Sequence, residues 1–346
     1  MKIKKIQEAD LENKKVLLRV DFNVAVENGE VKENFRIEAS KETLVYLLGK
    51  KCKVALASHL GRPEGKVNPE FSLEQIKDDV ENVLGVKIKF IKDCLSGEIK
   101  NELENLAENE VLLLENVRFY PGDESNDADF ASKLATNFEI FVNDAFSASH
   151  RDHASVTGVT KFLPSYAGFL MQKEIEEMEK IKNNFAHPAV AIIGGAKIET
   201  KLPVIKFFEE KYDNVLVGGK IANEALDQKI QFSEKVFLPF DFVDDRLDIG
   251  PKTLEKFREI IGLAKTIVWN GPTGKFEDEK YALSTNEVLK SVLGSNAYKV
   301  VGGGETLEIL EKNQATSKID FISTGGGAML EYLSGKPMPG IDALKS

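Results

Sequence analysis

The sequence is poor in the residues that disulfide frameworks, metal centres and membrane spans require. It has 2 cysteines and 4 histidines in 346 residues, and neither Cys52 nor Cys94 lies in a Cys-x-x-Cys motif or a ligand cluster. Isolated cysteines of this kind suit packing in a reducing compartment. No apolar run reaches the length of a membrane helix, and the N-terminus lacks the apolar core of a signal peptide. These absences predict a cytoplasmic globular protein that does not act at a membrane.

The nucleotide-binding fingerprints with the strictest spacing are also missing. No G-x-x-x-x-G-K-[ST] occurs, since the Gly-Lys pair at 274–275 precedes Phe276 and the pair at 335–336 precedes Pro337. No strict G-x-G-x-x-G follows a strand-like run. A P-loop ATPase and a dinucleotide-dependent dehydrogenase are therefore both disfavoured. The formal net charge of −10 argues against nucleic acid as the main partner.

What the chain does have is a regular alternation of strand-like and helical stretches. With 346 residues, 42% of them hydrophobic and 29% charged, it is long enough for two domains. The alternation predicts an α/β fold with parallel sheets covered on both faces, in which ligands collect at the carboxyl ends of the strands. A helical stretch at Tyr166–Phe185 is predicted to connect the two halves. The predicted strands are Val16–Val20, Lys53–Ala57, Val86–Ile91, Val111–Leu114, Phe138–Val142, Ala189–Ile193, Asn214–Val217, Val236–Leu238, Thr266–Trp269, Lys299–Val301 and Ile319–Ile322.

Four predicted strands of the second half end directly in glycine clusters. Glycine lets the backbone approach a phosphate closely, and the helix that follows offers unpaired N–H groups. The pattern predicts phosphate binding, with tight turns between strands and helices as the alternative reading. Lys197 and Lys201 are predicted to lie on one face of the helix after the first cluster, where they could flank a polyphosphate. The clusters are Gly194-Gly195-Ala196-Lys197, Gly218-Gly219-Lys220, Gly302-Gly303-Gly304-Glu305 and Thr324-Gly325-Gly326-Gly327.

A rigid loop and two carboxylates complete the predicted nucleotide site. The strand at 266–269 runs into Asn270, Gly271 and Pro272, and Glu277 a few residues later could accept ribose hydroxyls. Glu305 is placed to hold Mg²⁺, an oxygen-seeking ion that is usually shared with phosphates. The sequence shows no nucleophilic triad and no zinc motif. Direct phosphoryl transfer by positioning and charge stabilisation therefore fits best.

The first half concentrates the arginines. Of 46 basic residues only seven are arginine, and five of these precede residue 152. Arginine grips a carboxylate or phosphate with two bonds, so arginines at strand ends indicate an anion site, whereas surface ion pairs are the plainer reading. Asp21 and Asn23 could accept hydrogen bonds from a hydroxyl of the ligand. Arg19, inside a predicted strand, is expected to be structural. The five are Arg19, Arg36, Arg62, Arg118 and Arg151.

Taken in order, these motifs resemble the signature set of the phosphoglycerate kinase family along nearly the whole chain. The resemblance implies an α/β fold of two Rossmann-like lobes with parallel sheets, joined by a hinge helix. It further implies reversible, direct in-line phosphoryl transfer on lobe closure between 1,3-bisphosphoglycerate with ADP and 3-phosphoglycerate with ATP, in glycolysis. The motifs are Arg-Val-Asp-Phe-Asn-Val (19–24), Ser-His-Leu-Gly-Arg-Pro (58–63), Leu-Glu-Asn-Val-Arg-Phe (114–119), Val-Asn-Asp-Ala-Phe (142–146), Gly-Gly-Ala-Lys (194–197), Trp-Asn-Gly-Pro (269–272), Gly-Gly-Gly (302–304) and Ser-Thr-Gly-Gly-Gly-Ala (323–328).

The resemblance also assigns roles to residues and boundaries to the lobes. Mg²⁺ with ATP or ADP is the implied cofactor, Glu305 its ligand, and a monomer the expected state. A phosphoglycerate lobe is expected at 1–165, a connecting helix at 166–186 and a nucleotide lobe at 187–334, with 335–346 packing back on the first lobe. Phosphoglycerate would be held by Asp21, Asn23, Arg36, His59, Arg62, Arg118 and Arg151. The catalytic groups would be Arg36, Lys197, Lys201, Gly325 and Gly326. The nucleotide would be held by Gly195, Ala196, Lys201, Gly219, Asn270, Pro272, Glu277, Gly302, Gly303, Gly304, Glu305 and Thr306.

The chain departs from the family pattern in the second lobe. Glu305 stands where the family usually has Asp, and Lys275 where it usually has an apolar residue. The stretch around 225–250 is shortened, and in the family it supplies part of the adenine pocket. A non-catalytic sensor of phosphoglycerate or nucleotide is therefore the alternative function.

Overall fold

The structure, a computed structural model, describes residues 2–27 and 29–345. The chain divides into two compact units, and the division falls between Ile175 and Glu176. Unit 1 runs to Ile175 and includes the segment from Pro337 onward, whereas unit 2 is Glu176–Lys336. The predicted lobe limits at 165 and 187 lie on either side of this division.

Unit 1 is built on a parallel sheet in the strand order β5-β6-β4-β1-β7-β8, with a small antiparallel hairpin, β2–β3, beside it. Helices cover the sheet, and the last of them, α14, lies in the C-terminal segment. There the Gly340 N–H donates to the Ser149 carbonyl at 2.9 Å. The strands are β1 Lys15–Arg19, β2 Val26–Glu27, β3 Glu30–Val31, β4 Lys53–Ala57, β5 Lys87–Ile91, β6 Glu110–Leu114, β7 Ile140–Asn143 and β8 Ser165–Ala167. The helices are α1 Phe35–Ala39, α2 Lys41–Gly49, α3 Lys77–Leu84, α4 Glu98–Glu104, α5 Pro121–Glu124, α6 Ala128–Ala135, α7 Phe169–Asn183, which continues into unit 2, and α14 Pro339–Asp342.

Unit 2 repeats the plan with a parallel sheet in the order β11-β10-β9-β14-β15-β16 and a second antiparallel hairpin, β12–β13. Its strands are β9 Ala189–Ile193, β10 Asn214–Val217, β11 Val236–Phe237, β12 Phe242–Val243, β13 Asp248–Ile249, β14 Thr266–Asn270, β15 Tyr298–Gly302 and β16 Phe321–Ser323. Its helices are α8 Ile198–Lys211, α9 Gly219–Asp227, α10 Pro251–Leu263, α11 Leu283–Gly294, α12 Gly304–Lys312 and α13 Gly326–Leu333. Short 3₁₀ turns complete the two units at Ile6–Glu8, Pro69–Phe71, Leu73–Ile76, Val117–Phe119, Phe146–Ala148, Gly158–Lys161, Glu279–Tyr281 and Thr316–Lys318.

The packing of β1 shows why these strands read as continuous apolar runs. Val16 and Leu18 join one buried cluster of unit 1, while Leu17 joins the cluster on the opposite face of the sheet. Successive side chains of a strand point to opposite faces, so a strand covered on both faces needs apolar residues at every position. The predicted α/β class with parallel sheets is confirmed.

The predicted connector helix is observed, but it begins later than the sequence suggested. Tyr166 is not helical: it pairs with Val142 in the sheet, as part of β8. The helix begins only after Gly168, where the Asp144 carboxylate accepts the Met171 N–H at 3.1 Å. A short strand beside a strong helical pattern gives no periodic signal of its own, which is why the sequence did not separate the two.

In the part of the chain that the structure describes, no helix is long and apolar enough to cross a membrane.

Candidate active site

Asp21 and Arg36 form the centre of a polar cluster at the strand ends of unit 1. Asp21 lies two residues beyond β1 and is 3% exposed. Its carboxylate accepts hydrogen bonds from Arg36 Nη1, from Ser147 Oγ and, at 3.1 Å, from the Asn23 N–H. Burial alone would raise the pKa of Asp21, but Arg36, His59 and these hydrogen bonds lower it to about 2. The carboxylate is therefore ionised at neutral pH and orients the Arg36 guanidinium.

His59 is a neutral donor in a fixed tautomer. It follows β4, is buried, and places Nδ1 3.2 Å from Arg19 Nη2. Burial and the charge of Arg19 hold the pKa of His59 well below its ordinary value of 6.5. Because a guanidinium can only donate, Nδ1 must accept and the proton must sit on Nε2. The Nε2–H of His59 is thus available to donate to an anion. Arg19, buried within β1, holds the imidazole in this tautomer through its contact with Nδ1.

Arg118 links three of the loops that follow the strands. It lies in the turn Val117–Phe119 after β6, and its Nη1 donates to the Gly61 carbonyl at 3.0 Å. The Gly61 N–H in turn donates to Asn23 Oδ1 at 2.8 Å. Burial lowers the pKa of Arg118, and the charge of Arg151 adds to that lowering, as expected for two neighbouring cations. The contacts therefore bring the loops after β1, β4 and β6 together.

The predicted anion-site residues thus lie at one edge of the sheet, at the carboxyl ends of β1, β4, β6 and β7. Arg62 follows Gly61, and both Arg62 and Arg151 have exposed side chains. Ser147 was missed by the sequence analysis, although it lies only four residues before Arg151 in the same loop. Four arginine forks together with the buried Asp21 carboxylate suit an anion that also carries a hydroxyl group.

In unit 2 the glycine clusters let neighbouring loops touch backbone to backbone. A Cβ added to Gly194 would lie 1.9 Å from the Pro272 carbonyl oxygen, and one added to Gly326 would lie 2.7 Å from the Gly303 Cα. No side chain fits in such gaps, so glycine is required at both positions. Each predicted glycine cluster is followed by a helix, since α8, α9, α12 and α13 begin within or just after the four clusters. The four glycine clusters, together called the glycine cradle, therefore present backbone N–H groups at several helix starts.

Lys201 lies on the first turn of α8 in a half-buried position. Its Nζ donates to Asn270 Oδ1 at the end of β14. Burial lowers the pKa of Lys201 to about 8, and only the neighbouring Glu305 opposes this. Burial likewise raises the pKa of Glu305, against the influence of Lys201. Both side chains reach Gly195: a Cβ added there would lie 3.6 Å from Lys201 Cε and 4.0 Å from Glu305 Oε2.

The predicted arrangement of Lys197 and Lys201 on one helical face is wrong. Lys197 precedes the first helical residue, with extended backbone at φ −132° and ψ 111°. The spacing of four residues therefore does not place the two ammonium groups on one face. The Lys197 side chain is exposed, whereas Lys201 is half-buried. A helix start set by two glycines and an alanine cannot be located to the residue from sequence.

The remaining predicted nucleotide residues divide into structural and accessible ones. Thr306 is fully buried, and its Oγ1 accepts the Gly271 N–H at 2.7 Å. Asn270 is also buried, and a Cβ added to Gly303 would lie 3.2 Å from its Nδ2. Glu277 is exposed. Thr306 and Asn270 therefore shape the loops, while Glu277 is available to a ligand.

A cavity of about 390 Å³ opens beside these loops. This volume lies within the ordinary range of small-molecule sites, roughly 300–1,000 Å³. Among its lining residues, Gly195, Ala196, Gly219, Pro272, Glu277 and Glu305 were predicted from sequence to bind nucleotide, and Lys220 was part of a predicted glycine cluster. Asn223, Asp245, Arg246, Leu247 and Gly274 were not predicted, and Lys275 had been noted only as a departure. Asn223 had one usable signal, because it lies one helical turn beyond Gly219.

The carboxylates present fit a metal ion that is shared with a ligand rather than enclosed by the protein. Within residues 2–27 and 29–345, no group of three or more His, Cys, Asp or Glu side chains could hold a metal ion. Glu305, exposed and near Lys201, is the one carboxylate among the described residues that lies there. Mg²⁺ commonly uses one or two carboxylates and takes its other ligands from water and phosphates. Glu305 therefore suits Mg²⁺ that arrives with a nucleotide.

One α/β unit has an arginine-lined anion site, and the other has a glycine-walled cavity large enough for a nucleotide. This combination is typical of a phosphotransferase. Comparison with known proteins supports this class and narrows it. The sequence model of the family described as phosphoglycerate kinase matches residues 6–236 and 239–336. The chain belongs to the phosphoglycerate kinase family.

Curated relatives and solved structures agree over the full length. The phosphoglycerate kinase of Moorella thermoacetica is 40% identical, covering 98% of both chains, and that of Finegoldia magna is 39% identical, covering 99% of both. The structure of the enzyme from Coxiella burnetii has a TM-score of 0.83 at 33% identity, and that from Pyrococcus horikoshii 0.88 at 30%. Each comparison covers 99% of this chain and 98% of the solved one.

The comparisons also bear on the shortened segment. The alignment with the Moorella relative spans 385 positions against 346 residues in this chain, so at least 39 positions have no counterpart here. The family match is interrupted at 237–238, within the stretch 225–250 that the sequence marked as shortened. In this structure the stretch contains the end of α9, the short strand β11 and the hairpin β12–β13.

Proposed function

We propose that the chain transfers a phosphoryl group reversibly between ATP and 3-phosphoglycerate, with unit 1 binding the phosphoglycerate and unit 2 the nucleotide. The observation that carries the proposal is the pairing of an arginine-rich strand-end cluster in one unit with a glycine-walled cavity beside Lys201 in the other. Family membership gives the reaction class. The contacts around Asp21 and Arg118 in unit 1, and those around Lys201 in unit 2, support the assignment of one substrate to each unit.

In unit 1, Arg36, Arg62, Arg118 and Arg151 supply guanidinium forks for the phosphate and carboxylate of phosphoglycerate. Asp21 and Asn23 receive its hydroxyl, and the His59 Nε2–H donates to an anionic oxygen. Asp21 keeps Arg36 in place, because its ionised carboxylate is buried against that guanidinium. Arg36 is thereby positioned beside the acceptor carboxylate before the reaction begins, which lowers the cost of organising the charge.

In unit 2, the polyphosphate lies against the backbone of the glycine loops. Lys201 stabilises the transferring phosphoryl group, with Lys197 as a second, more exposed cation, and the N–H groups at Gly325 and Gly326 add hydrogen bonds. Gly195, Ala196, Gly219, Pro272 and the segment 302–304 form the cradle, Asn270 and Thr306 shape it, and Glu277 receives the ribose. Mg²⁺ bound at Glu305 would supply charge neutralisation for the phosphates.

Phosphoryl transfer in this arrangement is direct, from the γ-phosphate to the acceptor carboxylate and back. Charge on the transferring group is spread over its oxygens, so fixed cations and N–H donors are the chief means of catalysis. The expectation that the lobes close for this step stays a prediction. No finding favours the alternative of a non-catalytic sensor, and the contact between Lys201 and Asn270 speaks for a maintained catalytic group.

The assignment of one substrate to each unit is tested by replacing one residue of unit 1 and measuring the Kd values of both ligands. Arg118→Ala removes a guanidinium fork, so the Kd for 3-phosphoglycerate should rise roughly 10–100-fold, the scale of a lost charge-assisted bond. Calorimetric titration of the variant with 3-phosphoglycerate and, separately, with Mg-ADP measures the effect. Binding of Mg-ADP should not change. An unchanged Kd for phosphoglycerate, or equal weakening of both ligands, would contradict the assignment.

A further inference from the structure

The hairpin β12–β13 forms one end of the cavity in unit 2. Its loop runs from Asp244 to Leu247, and Asp245, Arg246 and Leu247 all line the cavity. Gly195 and Glu305 line it near Lys201, where the phosphates are expected. Asn223, one turn into α9, bonds to the loop through its Nδ2, which donates to the Arg246 carbonyl at 3.0 Å. The first turn of α9 therefore links this loop to the glycine cluster at 218–220, where α9 begins.

Three contacts hold this loop in a defined conformation. The Asp244 carboxylate lies 2.5 Å from Lys280 Nζ and accepts the Tyr281 hydroxyl at 3.2 Å. The Lys275 N–H donates to the Leu247 carbonyl at 2.8 Å. Arg246 adopts a left-handed backbone with φ 63°, which costs energy for a residue other than glycine and persists only where the surroundings impose it. Asp244, with φ 31°, is also left-handed, and Arg246 is the one of these two residues that lines the cavity.

The Arg246 guanidinium is held on two sides. Its Nη1 lies 2.7 Å from Asp227 Oδ1 at the end of α9, and its Cζ lies 5.5 Å from the centre of the Phe242 ring. A guanidinium is planar and has five N–H donors, of which this ion pair uses one. The Cζ lies over the aromatic ring, and a guanidinium plane has two faces on which a flat group can stack.

The rest of the cavity lacks such a surface. Within the described part of the chain, the lining residues include no aromatic side chain, and Ala196, Leu247 and Pro272 are their apolar side chains. A nucleobase is flat and aromatic, and proteins bind it by stacking it on aromatic rings or on guanidinium planes. Arg246 is the lining residue with that property.

We propose that Arg246 is the base-binding residue of the nucleotide site: its guanidinium stacks on the base and favours purines over the smaller pyrimidines. This inference rests on the proposed binding of nucleotide in unit 2 and adds the residue that recognises the base. Stacking depends on the area of the flat surface, so a purine gains more from it than a pyrimidine does. The phosphates are expected to lie in the glycine loops, so base stacking on Arg246 does not contribute to their binding.

The competing explanation is an ordinary surface ion pair. Arg246 and Asp227 have side-chain exposures of 44% and 65%, and pairs of this kind contribute little to stability. Arg258 is a matched control, because it is an arginine of the same unit, 56% exposed, that pairs with Glu287 at 3.7 Å and lies on α10 away from the cavity. Arg246→Ala leaves the left-handed backbone equally strained, so the variant should fold as the wild type does.

The test compares the binding of Mg-ADP, Mg-CDP and Mg-pyrophosphate by calorimetry in the wild type, Arg246→Ala, Arg246→Lys and Arg258→Ala. Arg246→Ala should raise the Kd for ADP about 10-fold, within the range known for the loss of one base-stacking partner. It should narrow the preference for ADP over CDP and leave pyrophosphate binding unchanged. Arg246→Lys keeps the charge but has no plane, so it should bind ADP as weakly as Arg246→Ala. Arg258→Ala should behave as the wild type.

Three results would overturn the inference: an ADP Kd within two-fold of the wild type in Arg246→Ala, equal weakening of ADP and pyrophosphate, or full affinity in Arg246→Lys. The last two would show that Arg246 acts through charge on the phosphates. Turnover with 3-phosphoglycerate is measured on the same samples. A wild type that binds ADP through Arg246 but transfers no phosphoryl group would contradict the proposed function and leave this inference standing.

Discussion

At the residue scale, burial disfavours the charged form of Lys201, yet that charged form is the one that its proposed role requires. Burial lowers the pKa of its ammonium group to about 8, and Asn270 Oδ1 and the nearby Glu305 support the charged form only in part. A polyphosphate placed beside it would favour the charged form strongly. In the proposed role, nucleotide binding would offset the cost of burying the ammonium group, and the charge would already be oriented when transfer begins.

Replacing Lys201 should therefore affect turnover and its pH dependence together. Lys201→Ala should lower kcat by roughly 10²–10³-fold, the scale of losing one preorganised charge stabiliser. In the wild type, kcat/KM for ATP should be constant below pH 8 and fall as pH rises through the Lys201 pKa of about 8, because the ammonium group loses its proton. Steady-state rates from pH 6 to 9.5 measure both effects.

Lys201→Arg is the control for this prediction, since a guanidinium stays charged throughout that pH range. Its rates should be lower than those of the wild type but should not decline near pH 8. Near-normal turnover of Lys201→Ala, or an identical alkaline decline in Lys201→Arg, would remove Lys201 from the proposed role.

At the scale of elements, the hairpin β12–β13 is tied to α10 by one carboxylate. Asp241 Oδ1 accepts the Thr253 N–H at 2.7 Å and Oδ2 accepts the Lys252 N–H at 3.0 Å. These are N–H groups of the first helical turn, which has no partner within the helix. Asp241 lies outside the helix and still acts as its cap, so it joins the shortened segment to the core of unit 2.

Asp241→Ala should lower the free energy of unfolding by about 1–2 kcal/mol at pH 7, the usual cost of losing a helix cap. Burial opposes ionisation, yet the bonds from Thr253 and Lys252 give a net lowering of the Asp241 pKa. The stabilisation is therefore present above the ordinary aspartate pKa of about 4 and is lost as pH falls through the lower value of the folded state. Urea unfolding at pH 7 and pH 3 should show the difference between variant and wild type shrinking at the lower pH.

The exposed Glu255 on the same helix supplies the comparison. Glu255→Ala should change the free energy of unfolding by no more than about 0.5 kcal/mol. A loss in Asp241→Ala that is no larger than this, or one that grows at pH 3, would show that the carboxylate does not act as the cap.

The helices and strands also show which elements can be predicted from the sequence. The strands β4, β9 and β10 were predicted with their observed limits, because each is an apolar run that the sheet buries on both faces. The hairpins β2–β3 and β12–β13 were not predicted, since strands of two residues have no periodicity to detect. β12–β13 depends instead on contacts distant in sequence, such as Asp244 with Lys280. Arg246 was missed for the same reason, because its place at the cavity follows from that hairpin.

The site residues divide in the same way. Asp21 and His59 could be predicted because each directly follows a buried strand, and the carboxyl ends of parallel strands meet at one edge of the sheet. Lys197 was wrongly predicted to lie on α8 because the sequence did not reveal where that helix begins. The tautomer of His59 could not be predicted either, since it depends on Arg19 reaching Nδ1 from a neighbouring strand.

At the scale of the whole molecule, the chain keeps two complete α/β units although it is shorter than its relatives. Each unit has its own six-stranded sheet in the described residues, and the interruption in the family match falls at the end of β11, an edge strand of the sheet in unit 2. A protein with a net charge of −10 must attract anionic substrates through local cations, and each unit has such cations at the ends of its strands. The central claim is that both sites are intact and that together they transfer a phosphoryl group.

The most direct test is the steady-state turnover of 3-phosphoglycerate with Mg-ATP, coupled to a dehydrogenase that consumes the acyl phosphate and NADH. We expect NADH oxidation that requires both substrates, with kcat in the ordinary range of enzymes, roughly 1–10³ s⁻¹. Omission of 3-phosphoglycerate should abolish the signal. No turnover in a folded sample that still binds 3-phosphoglycerate and Mg-ADP would contradict the account and identify the chain as a sensor that retains the sites without the reaction.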